Sequence, residues 1–371
     1  MHSNDHTAVP VQKHRTLRRV LAASIALLAI AVLLLVLSIV QSRIASARTR
    51  SGFRLHDASP VVCAAAGNGL AAVTGNGAQL FTANGKCVAS LDFASEAPIC
   101  AGSTQLAVFA DAGKSGIHAL YPDGSEREAP TEGGVNFLDV NDSGLITVLT
   151  DKDGYRGSVV VYDDDLTPLF RWDASSMTPL SARTTVKGLL CINGAGEDGG
   201  SLRFFHIDKE ETLAEFFRPG ERIIDFGFLS NGTVAAVTES ALCFISPTDG
   251  SLLAEHRLGG AKLSAFSLTG NFAAVAAVSG QVDGRTVITA FSPSGEPLGS
   301  CAAPFTAAAM SQNGSQLLVL FLGGESTLFT SSLEEIVSYQ PNADTERAFL
   351  CSDSRAIFCG ASGIVQVDFN R

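Results

Sequence analysis

Residues 226–237 read FGFLSNGTVAAV: a strand, a tight turn at Asn231-Gly232, and a second strand of small apolar residues. The phrase returns upstream as NFLDVNDSGLITVL and downstream as AAAMSQNGSQLLVLF. Units of this kind also occur at GNGLAAVTG, GSTQLAVFAD, VKGLLCING, LTGNFAAVAAV and SDSRAIFCGAS. Anchored on Gly69, Ser103, Gly144, Gly188, Gly232, Gly270, Gly314 and Ser354, they recur every 34 to 44 residues. A period near 40, in strands with no helical pattern, is the signature of β-propeller blades.

Each unit continues in the same way. A third strand follows, as in SVVVYDDD and TVITAFSPS, then a second turn at Asn84-Gly85, Asp123-Gly124, Asp163–Asp165, Asp208-Lys209, Asp249-Gly250 or Ser294-Gly295. These residues tolerate positive φ or form Asx turns, so they close hairpins. A fourth strand completes a four-stranded blade. The last unit shows only three strands (RAFLCSD, RAIFCGA, SGIVQVDFN), so the expected all-β propeller over residues 51–371 has eight blades, with seven as the alternative. The stretch 51–57, SGFRLHD, is expected to supply the missing strand and remove an exposed sheet edge.

Ahead of the repeats, Val20–Val40 holds 21 residues without a charge, long enough as a helix to cross a bilayer. It reads as one transmembrane helix between a short basic tail, 1–19, and a linker, 41–50. A cleaved signal peptide is the competing reading, but the run exceeds the 7–15 apolar residues usual there. Flanking Lys and Arg are balanced: Lys13, Arg15, Arg18 and Arg19 before the run, Arg43, Arg48, Arg50 and Arg54 after it. The first four crowd closer to the apolar edge, so the N-terminus is expected in the cytoplasm and the propeller outside it.

Residues 55–371 carry 18 basic and 36 acidic side chains, a net charge of −18. Phosphate backbones would repel such a domain, which argues against nucleic-acid binding. Eight cysteines are spread thinly, with no CxxC pair, and several lie inside apolar runs, where thiols act as small core residues.

Motif by motif, the candidate chemistry is thin. AGKSG (112–116) hints at a phosphate loop, but Val108 stands where the first glycine belongs. Asp139, Asn141, Ser143 and Gly144 match the first positions of a calcium loop, whereas the twelfth is Thr150 in place of Glu. The same residues also read as a blade turn. Asp163, Asp164 and Asp165 form the densest acidic cluster, with Asp151–Gly154 nearby, and read as a solvated hairpin tip. His56, His118, His206 and His256 fall in different units without metal-ligand spacing.

With its basic tail, apolar anchor and turn-strand repeats, the chain resembles bacterial families of single-pass, membrane-anchored propellers of unknown function, quinoprotein-like or Trp-Asp-repeat-like (WD40-like). That resemblance implies architecture and membrane location and transfers no catalytic residue. Quinone-dependent relatives carry a TGxxxW docking motif, and here there is one tryptophan, Trp172. The expected function is therefore a non-enzymatic binding or scaffold module, extracytoplasmic, for a protein or cell-envelope component. No catalytic, metal or cofactor residue is assigned. The alternative is a hydrolase or quinoprotein-like oxidoreductase with its site at the channel mouth.

Overall fold

In the computed structural model, which describes residues 46–50, 53–55, 62–209, 211–280 and 285–370, the periodic turns fold the chain into eight four-stranded antiparallel sheets. Blades 1 to 7 span 62–92, 98–129, 135–173, 178–219, 223–257, 262–303 and 307–339, each built from four consecutive strands. Blade 8 combines Thr345–Ser352, Arg355–Gly360 and Gly363–Asn370 with a strand from the start of the propeller. The fold is an eight-bladed β-propeller. Among the described residues no helix is long and apolar enough to cross a membrane; the helix expected at 20–40 lies outside them.

The closing strand is Ser46–Arg50, which pairs with Gly363–Asn370 at the outer edge of blade 8. This corrects the expectation that 51–57 would supply it, and it places part of the expected 41–50 linker within the sheet. The physical reason lies in the position. An outermost strand contributes backbone pairing to the sheet edge, which the polar sequence SARTR supplies as well as an apolar one would. Phe53 sets its ring edge-on to Phe81 at 5.4 Å and, with Leu55, joins the apolar cluster between blades 8 and 1.

Burial follows strand order. Second strands such as Gly69–Val73, Ala107–Asp111, Ile146–Thr150, Val234–Thr238 and Gln316–Phe321 are buried throughout, whereas outermost strands such as Glu126–Ala129 are largely exposed. Small residues let neighbouring sheets approach face to face, and phenylalanines fill what remains: Phe109, Phe204, Phe226, Phe244 and Phe358 are fully buried. Where inner strands touch, even a methyl group would collide. A Cβ on Gly227 would lie 2.3 Å from the Leu268 carbonyl oxygen of blade 6, and one on Gly102 2.4 Å from that of Ala65 in blade 1.

Turns between third and fourth strands share one geometry. In six blades the residue two before the fourth strand takes positive φ, as at Gly85, Gly124, Gly250 and Gly295. In blades 3 and 7 it is Leu166 or Leu333, both at 63°. A left-handed leucine costs about 1 kcal/mol or more. Both side chains are buried between blades, and that burial offsets the strain.

Candidate functional site: the channel wall and its mouth

The first strand of every blade faces the central channel, and three of these strands contribute a polar cluster. Arg183, on Thr178–Thr184 of blade 4, donates from Nη1 to Asp225 Oδ1 at 2.6 Å and from Nη2 to Asp225 Oδ2 at 3.3 Å. Asp225 belongs to Ile223–Phe228 of blade 5. The same Nη1 donates to the Phe226 carbonyl at 2.6 Å. Its Nε stands 3.8 Å from Asp139 Oδ1 on Val135–Val140 of blade 3. The guanidinium lies over the rings of Phe226 and Phe137, 5.1 and 5.6 Å from their centroids. One arginine thus ties three blades together.

Asp139 is the least satisfied member. Side chains of three blades surround it, and burial pushes its carboxyl up to about 6; Arg183 opposes that rise and Asp225 adds to it. Water still reaches it along the channel, since 28% of its side chain is exposed. The cluster is built one blade at a time: Asp139 and Arg183 each stand five residues before the first-turn glycine of their blades, Gly144 and Gly188, and Asp225 stands seven before Gly232. Sequence reasoning missed it because each residue is unremarkable within its own unit. Aligning polar residues across the inner strands would have exposed it.

The calcium-loop candidates separate accordingly. Asp139 turns to Arg183, while Asn141 Oδ1 accepts the backbone N–H groups of Ser143 and Leu145 at 2.9 and 3.1 Å. Asn141 Nδ2 donates to the Thr184 carbonyl of the next blade at 3.0 Å. Asn141 and Ser143 therefore build the first hairpin of blade 3. Asp163, Asp164 and Asp165 form the hairpin between its third and fourth strands, with Asp163 Oδ1 accepting from the Asp165 and Thr167 N–H groups. Arg127 of blade 2 pairs with Asp165, and the Tyr121 hydroxyl donates to the Asp164 carbonyl. Lys114 of the phosphate-loop candidate pairs with Asp111 at 2.5 Å. Among the described residues, no group of three or more His, Cys, Asp or Glu side chains is placed to hold a metal ion.

Beside the cluster, where the first strands of blades 3 to 5 end, lies a pocket of about 880 Å³. Its rim is made of hairpin turns, including Asn141, Asp142, Val186, Lys187 and Asn231, and it extends outward past His206 and Leu213. Val186 and Leu213 are 59% and 42% exposed. Only Asp142, Lys187 and His206 among its nineteen lining residues are titratable, so the mouth is a nearly neutral window on an acidic domain.

This propeller with an apolar, turn-rimmed channel mouth defines the class; the family follows from sequence. Residues 42–300 match the family of unknown function DUF5711, and the chain belongs to it. No curated protein matches in sequence. Solved propellers are similar in fold. Saccharomyces cerevisiae Sqt1 superimposes with a TM-score of 0.64 at 14% identity, covering 87% of this chain and 99% of its own. The C-terminal WD40 domain of Sif2 gives 0.65 at 12%, covering 87% and 98%. BamB from Moraxella catarrhalis gives 0.56 at 14%, covering 88% and 100%.

Proposed function

We propose that this chain is a non-enzymatic binding module: a propeller tethered by a helix at 20–40, held outside the cytoplasm, that docks a protein or cell-envelope component at the channel mouth. The observation that carries the reading is the pocket rimmed by turns of successive blades. It joins exposed Val186 and Leu213 to backbone and hydroxyl groups on a rigid scaffold, the arrangement in which loop recognition usually resides. Its near neutrality suits a partner surface with an apolar tip.

A photo-crosslinking residue placed at 186 or 213 of the full chain, in its own membrane, should trap one and the same species. Val186→Asp should abolish capture from 213, and a crosslinker at 298, on the outermost strand of blade 6, should trap none of it. Equal capture from 298 would refute docking at the mouth. Alkaline phosphatase fused after Arg371 should be active if the domain is outside; an active cytoplasmic reporter there would reverse the orientation.

One observation favours an enzyme instead. A carboxyl held near 6 beside an arginine is poised for acid–base work. On that reading Asp139→Asn abolishes turnover of a small substrate; on the binding reading it leaves partner capture at the mouth intact.

A further inference from the structure

The cysteines that lie far apart in sequence meet where the ring closes. Cys63 lies on the first strand of blade 1, Cys351 and Cys359 on the first and second strands of blade 8, and all three are buried in one apolar cluster with Leu70, Ile357 and Ile364. Cys359 is the cross-strand partner of Arg347 in blade 8, which places it at the level of Cys63 within that cluster. Arg347 of blade 8 donates to the Cys63 carbonyl at 3.0 Å, fixing the two strands together at the same level. We propose that Cys63 and Cys359 are a disulfide site, a covalent clasp over the seam that joins the two ends of the propeller.

The step is thiol–disulfide exchange. A small-molecule or protein disulfide, RSSR, takes up the electron pair and both protons are released to the leaving thiols: Cys63–SH and Cys359–SH become Cys63–S–S–Cys359, and RSSR becomes two RSH. The closed seam shields both sulfurs, at 3% and 4% exposure, so the bond forms as blade 8 docks on blade 1, before the ring seals. It would then enclose almost the whole propeller in one covalent loop, the case in which a crosslink constrains the unfolded chain most. The other pairings are separated by the test.

Full-length protein is produced in cells with and without a membrane-permeant disulfide oxidant, alkylated on lysis, and mapped by peptide mass. The expected result is a Cys63–Cys359 linked peptide and a fall from eight alkylated cysteines to six. Tm should rise by about 5 to 8 °C over the reduced protein. Cys63→Ala and Cys359→Ala should each lose both the linked peptide and the Tm difference, while Cys351→Ala retains them. A linkage through Cys351 or Cys100, or eight alkylated cysteines under oxidant, overturns the proposal.

Discussion

Replacing Arg183 by Met tests whether the channel cluster holds blades 3, 4 and 5 together. Methionine keeps the apolar stem but loses both bonds to Asp225 and the bond to the Phe226 carbonyl. Charge-assisted hydrogen bonds contribute about 1.5–3 kcal/mol each, and stranding a buried partner costs about 3–5 kcal/mol. Asp225 keeps 27% of its side chain in contact with solvent, so channel water re-solvates part of the stranded charge. The expected loss is therefore about 2–3 kcal/mol. It should appear as a lower guanidinium midpoint for the full chain with an unchanged slope, since the same surface is exposed on unfolding. Adding Asp225→Asn removes the stranded charge and should restore about 1–2 kcal/mol, while the amide oxygen that replaces the carboxylate still accepts the Phe226 N–H. A loss under about 0.5 kcal/mol, the size of an ordinary surface change, would refute the staple. So would a double variant less stable than Arg183→Met alone.

Asp139 makes stability depend on pH in an unusual direction. Its folded pKa of about 6 exceeds the ordinary 3.8, so the folded state retains the proton between those values and stability falls as pH rises, by roughly 2 kcal/mol once solvent access is allowed for. Between pH 4 and 6.5 the wild type should lose stability relative to Asp139→Asn, and parallel curves would refute this. Changing Asp163, Asp164 and Asp165 together to Asn should cost less than about 1 kcal/mol, because an amide in place of the Asp163 carboxylate keeps the acceptor oxygen and the Arg127–Asp165 pair is exposed; calorimetry should detect no divalent-ion binding that the change abolishes. Gly227→Ala should cost more than about 2 kcal/mol by forcing blades 5 and 6 apart, as overpacking does, and an unchanged melting curve would contradict the close approach. Deleting Ser46–Arg50 should lower Tm and promote aggregation by baring the edge of Gly363–Asn370, whereas unchanged melting would show that the strand is dispensable.

The architecture was legible because its signals are local. Asn84-Gly85, Asp123-Gly124 and Ser294-Gly295 each announce a hairpin through the backbone they tolerate, and repetition supplied the blade count. The closing strand was misplaced for a complementary reason: Ser46–Arg50 has only an edge to complete, so neither alternation nor apolar residues mark it. Leu166 and Leu333 likewise hide their left-handed turns, since nothing in a leucine signals positive φ and only the packing around it explains the conformation. The channel cluster and the cysteine seam are products of contact between blades. Asp139, Arg183 and Asp225 become neighbours only when blades 3 to 5 stand side by side, and Cys63 meets Cys359 only when the last blade reaches the first.

Closure by Ser46–Arg50 also sets a timetable for synthesis. The strand leaves the ribosome early, yet its partner, Gly363–Asn370, follows more than three hundred residues later. At about 5–20 residues per second it waits roughly 15–60 s with its backbone groups unpaired. During that interval blades 1 to 7 can form in order, each from contiguous chain, but the ring stays open. A chain that lacks Gly363–Asn370 leaves Ser46–Arg50 without its partner strand, so the ring stays open and exposed to proteases.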